Sequence, residues 1–145
     1  MVAALTPLGL ADVFPPDAPL TVDSPMADLL AYAAFAEDAV GGTLEMFAKT
    51  VPAPVGVTTT TVTIPGGADA NEITLLISRP DHADGPPLPA VVHFHGGAMA
   101  IASAADISYQ RLRENMAATG LVVVGVEFRN SGGGRLGAHP YRRGG

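Results

Sequence analysis

A pair of glycines at the end of an apolar strand can take part in acyl transfer without contributing a side chain. The run Val91-Val92-His93-Phe94 is such a strand, and His95-Gly96-Gly97-Ala98-Met99 follows it directly. Successive glycines let backbone approach a ligand with no Cβ in the way. The N–H groups of Gly96 and Gly97 can therefore converge on a carbonyl oxygen that becomes negative as a tetrahedral intermediate forms. Losing one such donor costs about 3–4 kcal/mol of transition-state stabilisation. The residue that would generate the oxyanion is missing from these 145 residues, which contain no Gly-x-Ser-x-Gly. Ser131 sits in Asn130-Ser131-Gly132-Gly133-Gly134, which is not a strand-to-helix elbow, and Ser103 reads as a helix cap.

Two other chemistries compete for the same residues. His93 and His95 are two apart on a strand and share a face, a spacing some metal sites use. With His82 or His139 as a third ligand they would make a metal-dependent amidohydrolase, but clustered carboxylates are lacking and the glycine pair would go unexplained. A dinucleotide site is the other alternative. The run Gly96-Gly97-Ala98-Met99-Ala100-Ile101 lacks the third glycine that such a site requires, and no Gly-Lys-Ser/Thr phosphate loop occurs. The expected site contains neither a metal nor a cofactor.

The elements that must hold the turn are legible on both sides of it. Residues 1–23 are punctuated by proline and read as an extended arm. Ser24 before Pro25 predicts a helix start, with Asp28 in the first turn and Met26, Leu29, Leu30, Ala33 and Ala34 as its apolar stripe. Gly41-Gly42 should end or kink that helix before a shorter segment to about residue 50. The β-branched run from Val55 to Ile64 predicts a half-exposed strand. After Pro65-Gly66-Gly67, residues 72–78 return with Ile73, Leu75 and Ile77 on one face, so the two segments should form an antiparallel hairpin. Strand 90–95 leads through the glycine turn to a helix opened by Ser103-Ala104-Ala105-Asp106, with Tyr109, Leu112 and Met116 at helical spacing. Gly120 stops the helix. Leu121 to Val126 is then a nearly continuous apolar run, the mark of a strand covered on both faces. Strand, helix, strand make a βαβ unit with parallel strands, which places the turn at the carboxyl end of the first strand, where open α/β sheets bind ligands.

Bulk properties narrow the classes. Apolar residues make up 48% and charged residues 15%, enough for a core and unlike a disordered chain. A formal charge of −6 argues against a nucleic acid partner. The absence of cysteine excludes disulfides, thiolate zinc sites and a cysteine nucleophile, and is compatible with a reducing cytoplasm. No basic n-region opens the chain and no run approaches the ~18 apolar residues of a membrane span, so a soluble, cytoplasmic protein is expected. An α/β enzyme of this class usually needs roughly 200 or more residues, so the length points to a fragment.

The string His95-Gly96-Gly97-Ala98, then Val122-Val123-Val124-Gly125-Val126-Glu127-Phe128-Arg129, then His139-Pro140-Tyr141, resembles the N-terminal portion of hormone-sensitive-lipase-like carboxylesterases of the α/β-hydrolase class. The resemblance covers roughly residues 55–141. It implies an α/β fold with an incomplete α/β-hydrolase sheet, a hairpin plus one βαβ unit, preceded by N-terminal cap helices. Residues 1–54 would be the arm and cap helices, 55–141 the N-terminal part of the hydrolase domain, and 142–145 an aberrant or truncated tail. It implies that Gly96, Gly97 and Ala98 supply oxyanion N–H groups, that His95 orders the turn, and that Met99 touches the acyl side of a small-molecule ester. Glu127 and Arg129, on one face of their strand, would make an ion pair or hold the following loop.

The family's serine, acid and general-base histidine all lie beyond Tyr141, where this chain reads Arg142-Arg143-Gly144-Gly145. A truncation or frame shift near Arg142 would account for that, and these residues alone are expected to be inactive. The alternative is a non-catalytic protein that binds an acyl ligand or a partner. In the family, strand 90–95 is flanked on one side by a strand whose sequence does not occur here, so its open edge should promote self-association.

Overall fold

The computed structural model describes residues 20–67, 71–82 and 85–130. Along the chain lie helix α1 (Met26–Thr50), strands β1 (Val57–Pro65), β2 (Glu72–Pro80) and β3 (Ala90–Phe94), helix α2 (Ile107–Ala117) and strand β4 (Val122–Glu127). The four strands form one sheet in the order β1-β2-β4-β3. The β-branched residues of β1 pair antiparallel with β2, from Val57 opposite Pro80 to Pro65 opposite Glu72, as the alternation predicts. β4 runs antiparallel to β2 and parallel to β3, with Ala90 opposite Val122 and Phe94 opposite Val126. Hairpin and βαβ unit are thus both present, and among the described residues β3 is an edge strand.

One face of the sheet carries α2. On that face Ser78 of β2 is fully buried, as are Val123 of β4 and Ala117 of α2. The spacing of Tyr109, Leu112 and Met116 predicts an apolar helix face, but Leu112 is 45% exposed and the buried positions of α2 are Arg113, Glu114 and Ala117. The reason lies opposite. Gly125 leaves a groove across β4 that the Arg113 side chain fills, and a Cβ at Gly125 would sit 2.8 Å from Arg113 Cδ and Nε. The apolar run of β4 predicts cover on both faces. Among the described residues it has cover on one: Val123 and Gly125 are buried, whereas Val122, Val124 and Val126 are only half-buried and their neighbours Val92 and Phe94 on β3 are exposed.

Helix α1 departs from its expected form in three ways. It begins at Met26 with Pro25 as N-cap and no side-chain cap bond, while Ser24 Oγ accepts the N–H of Thr21. It passes through Gly41-Gly42 unbroken to Thr50, although each glycine disfavours helix by about 1 kcal/mol relative to alanine. It buries only Ala48 fully, leaving Met26 and Leu30 of its expected stripe exposed. The expected arm lies outside the described residues except for 20–23, and His139-Pro140-Tyr141 and the tail 142–145 lie outside them altogether. No helix among the described residues is long and apolar enough to cross a membrane.

Candidate functional site

The parallel pairing of β3 and β4 ends at Phe94 opposite Val126, and the chain from His95 to Asp106 crosses the carboxyl end of the sheet before α2 begins. This crossing is sharply folded. Gly97 has φ +117°, and three residues that are not glycine also take positive φ: Ala98 at 54°, Met99 at 60° and Ala102 at 72°. Such backbone costs a non-glycine residue roughly 1–2 kcal/mol. The carbonyl of Gly97 accepts the N–H groups of Ala100 and Ile101, both at 3.0 Å. No backbone carbonyl among the described residues accepts the N–H of Gly96, Gly97 or Ala98.

Close packing requires glycine at position 97 and crowds position 96. A Cβ at Gly97 would run into the Ile101 carbonyl, and one at Gly96 would lie 2.9 Å from the Tyr109 hydroxyl oxygen. His95 is 5% exposed; its Nδ1–H donates to the Gly96 carbonyl at 2.7 Å, and its ring stacks on Phe128 at 4.2 Å and 10°. That bond places the proton on Nδ1. The Met99 side chain is 69% exposed. Gly97, Ile101 and Tyr109 form one wall of a cleft whose other wall is Val40, Gly41 and Leu44 of α1.

The far end of the turn is tied down by β4. The Ser103 hydroxyl donates to Glu127 Oε2 at 2.7 Å and the Ala104 N–H donates to the same oxygen at 2.8 Å. Asn130 Nδ2 donates to the Ala102 carbonyl at 2.6 Å. Ser103, Ala104 and Asn130 are all buried. The Ser103-to-Asp106 box does form, with the Ser103 N–H donating to Asp106 and the Ala105 N–H to Ser103 Oγ. It closes a turn ahead of α2, however, and the helix starts at Ile107 with Asp106 as N-cap. Glu127 therefore holds the loop that precedes α2, where the sequence suggests a partner in Arg129 or in the following loop. Asn130 carries no sequence signal of its own beyond its place just after an apolar strand.

His93 and His95 do lie on one side, with ring centroids 5.7 and 5.6 Å from that of Tyr109. Burial, the Arg113 guanidinium and His95 together hold the His93 pKa below the ordinary imidazole value. Burial also draws the Arg113 pKa down, although Glu114 and Glu127 act in the opposite sense. Among the described residues no three His, Asp or Glu side chains gather into a metal-binding group, and His139 falls outside them.

No family model matches the sequence, and no curated protein matches it. Solved structures do match, and they are α/β-hydrolases, so the four-stranded sheet with its two helices is an incomplete α/β-hydrolase fold. Brefeldin A esterase, described as a bacterial homologue of human hormone-sensitive lipase, is 36% identical with a TM-score of 0.76 over 90% of this chain. Esterase Est22 is 29% identical with a TM-score of 0.60 over 75% of the chain. A bacterial heroin esterase, 24% identical over 70% of the chain with a TM-score of 0.61, shares the fold. The chain spans 36%, 34% and 31% of the lengths of those three proteins. Its resemblance is to hormone-sensitive-lipase-like bacterial esterases.

Proposed function

We propose that the chain is the oxyanion-stabilising part of a carboxylic ester hydrolase. The Gly96, Gly97 and Ala98 N–H groups bind the negative oxygen of the tetrahedral intermediate, His95 orders the turn through its bond to the Gly96 carbonyl, and Met99 contacts the acyl portion of a small-molecule ester. The observation that carries this reading is the turn itself: three consecutive amides without backbone acceptors among the described residues, on a segment folded so tightly that a Cβ at Gly97 would strike the Ile101 carbonyl. Preorganised donors of this type act where charge develops and need no reorganisation as the reaction proceeds. The esterase activity of the similar structures supports the reading.

On this proposal residues 1–54 serve as arm and cap, with α1 walling the cleft, and 55–141 belong to the hydrolase domain of a cytoplasmic enzyme. The 145 residues alone bind the charge without turnover, because they hold no Gly-x-Ser-x-Gly nucleophile. The exposed edge of β3 gives them a route to self-association.

Hydrogen–deuterium exchange read by mass spectrometry tests the oxyanion assignment and tolerates self-associated protein. An alkyl phosphonate monoester, a stable tetrahedral anion, should slow exchange at Gly96, Gly97 and Ala98. Protection that falls elsewhere, or nowhere, removes the assignment. In parallel, the chain should give no burst of p-nitrophenol from p-nitrophenyl acetate, and a serine-dependent burst would overturn the view that it is inactive alone.

A further inference from the structure

We infer that Glu127 and Asn130 are positioning residues of the oxyanion turn: by gripping Ser103, Ala104 and Ala102 they hold the 96–104 backbone in the left-handed geometry its amides require. This rests on the oxyanion reading of Gly96, Gly97 and Ala98 and assigns the origin of that site's rigidity.

The segment 95–106 contains no helix or strand, yet it holds three non-glycine residues at positive φ, which the local chain would relax if it were free. Its fastenings come from three of the four residues 127–130, where β4 ends. Phe128 stacks on His95 at the start of the turn, Asn130 takes the carbonyl of the strained Ala102, and one oxygen of Glu127 takes both the Ser103 hydroxyl and the Ala104 N–H. Because β4 pairs with both β2 and β3, residues 127–130 leave an interior strand of the sheet and can serve as a template for the loop across from them. A carboxylate accepting two buried donors makes a strong fastening, since charge-assisted bonds are about twice as strong as neutral ones. Glu127 does this through Ser103 and Ala104 and makes no hydrogen bond to either glycine among the described residues, so its contribution is as an acceptor that fixes the loop.

The test compares Glu127→Leu, Glu127→Gln, Asn130→Ala and Ser103→Ala in the full 145-residue chain by residue-resolved hydrogen exchange, with and without the phosphonate monoester. Leucine has similar bulk without an acceptor, whereas glutamine keeps one. Glu127→Leu should speed exchange at Ala104 by at least about tenfold and abolish phosphonate protection at Gly96 and Gly97. Exchange in α2 and the β1–β2 hairpin should stay within about twofold of wild type. Glu127→Gln should restore most of the protection, and Asn130→Ala should loosen 98–102. Should Glu127→Leu unfold the sheet as a whole, Ser103→Ala decides the matter, because it deletes one donor and leaves the carboxylate: the inference requires about threefold faster exchange confined to 96–104. The inference is overturned if the Leu and Gln variants behave alike, or if 96–104 exchanges at the wild-type rate in the Leu, Asn130→Ala and Ser103→Ala variants. Wild-type protein unprotected by phosphonate sinks the oxyanion reading instead, and the exchange rates without ligand then still decide whether Glu127 and Asn130 hold the loop.

Discussion

The turn 95–106 and helix α1 are the two walls of one cleft, and they are built in opposite ways. The turn has no regular structure, yet it contains His95, Ser103 and Ala104 at 5% exposure or less and is held by the side chains of Glu127, at the end of β4, and Asn130, just beyond it. The helix is 25 residues of regular hydrogen bonding with a single buried residue, Ala48. Regularity and rigidity are therefore separate properties here. A helix satisfies its own backbone and can lie loosely on the molecule, whereas an irregular loop must borrow its partners from the core and becomes part of it.

The sharpest way to break this contrast is Gly97→Ala. Its Cβ would meet backbone oxygen at a φ of +117°, so stability should drop by about 3 kcal/mol or more in denaturant titration. A loss below about 1 kcal/mol would mean the turn is far softer than its packing implies. Next comes Gly125→Ala, which overpacks the Arg113 groove and should cost about 1–3 kcal/mol. Combined with Arg113→Ala the penalty should largely vanish, and strict additivity would show that the two positions do not meet.

Arg113 alone is informative in the other direction. It is fully buried and its guanidinium nitrogens have no partner among the described residues. Replacing it by methionine should raise stability by about 1–2 kcal/mol, since a buried guanidinium whose nitrogens have no hydrogen-bond partner among the described residues is costly to desolvate. His93 gives a smaller, pH-dependent effect. Its folded pKa lies below the ordinary 6.5, so the unfolded chain takes up the proton first as pH falls. That contribution is fully present above pH 6.5 and is lost progressively on acidification below it. His93→Gln should flatten the melting temperature over that range, and an unchanged pH dependence would count against the assignment. The smallest effect belongs to α1: Met46→Gln, at a side chain 58% exposed, should change stability by less than about 0.5 kcal/mol.

These positions also show what could be read in advance. Val57-to-Ile64 and Val122-to-Val126 announce strands because β-branched and apolar runs have few other homes, and His95-Gly96-Gly97 announces its turn because glycine pairs seldom follow strands without a geometric need. Leu112 misled because helical spacing names an apolar stripe without knowing that Gly125 opens a groove for Arg113 instead. Gly41-Gly42 misled because propensity is a weak local preference that a continuous helix overrides.

By itself the sequence determined the strands, the antiparallel hairpin, the parallel βαβ unit and the position of the glycine turn at the carboxyl end of β3, since each follows from periodicity and from the conformations that particular residues permit. Only the tertiary structure decided which side chains hold that turn. Glu127 and Asn130 lie more than twenty residues from Ser103, Ala104 and Ala102, and their bonds exist because parallel pairing of β3 with β4 brings the two strand ends to the same edge of the sheet.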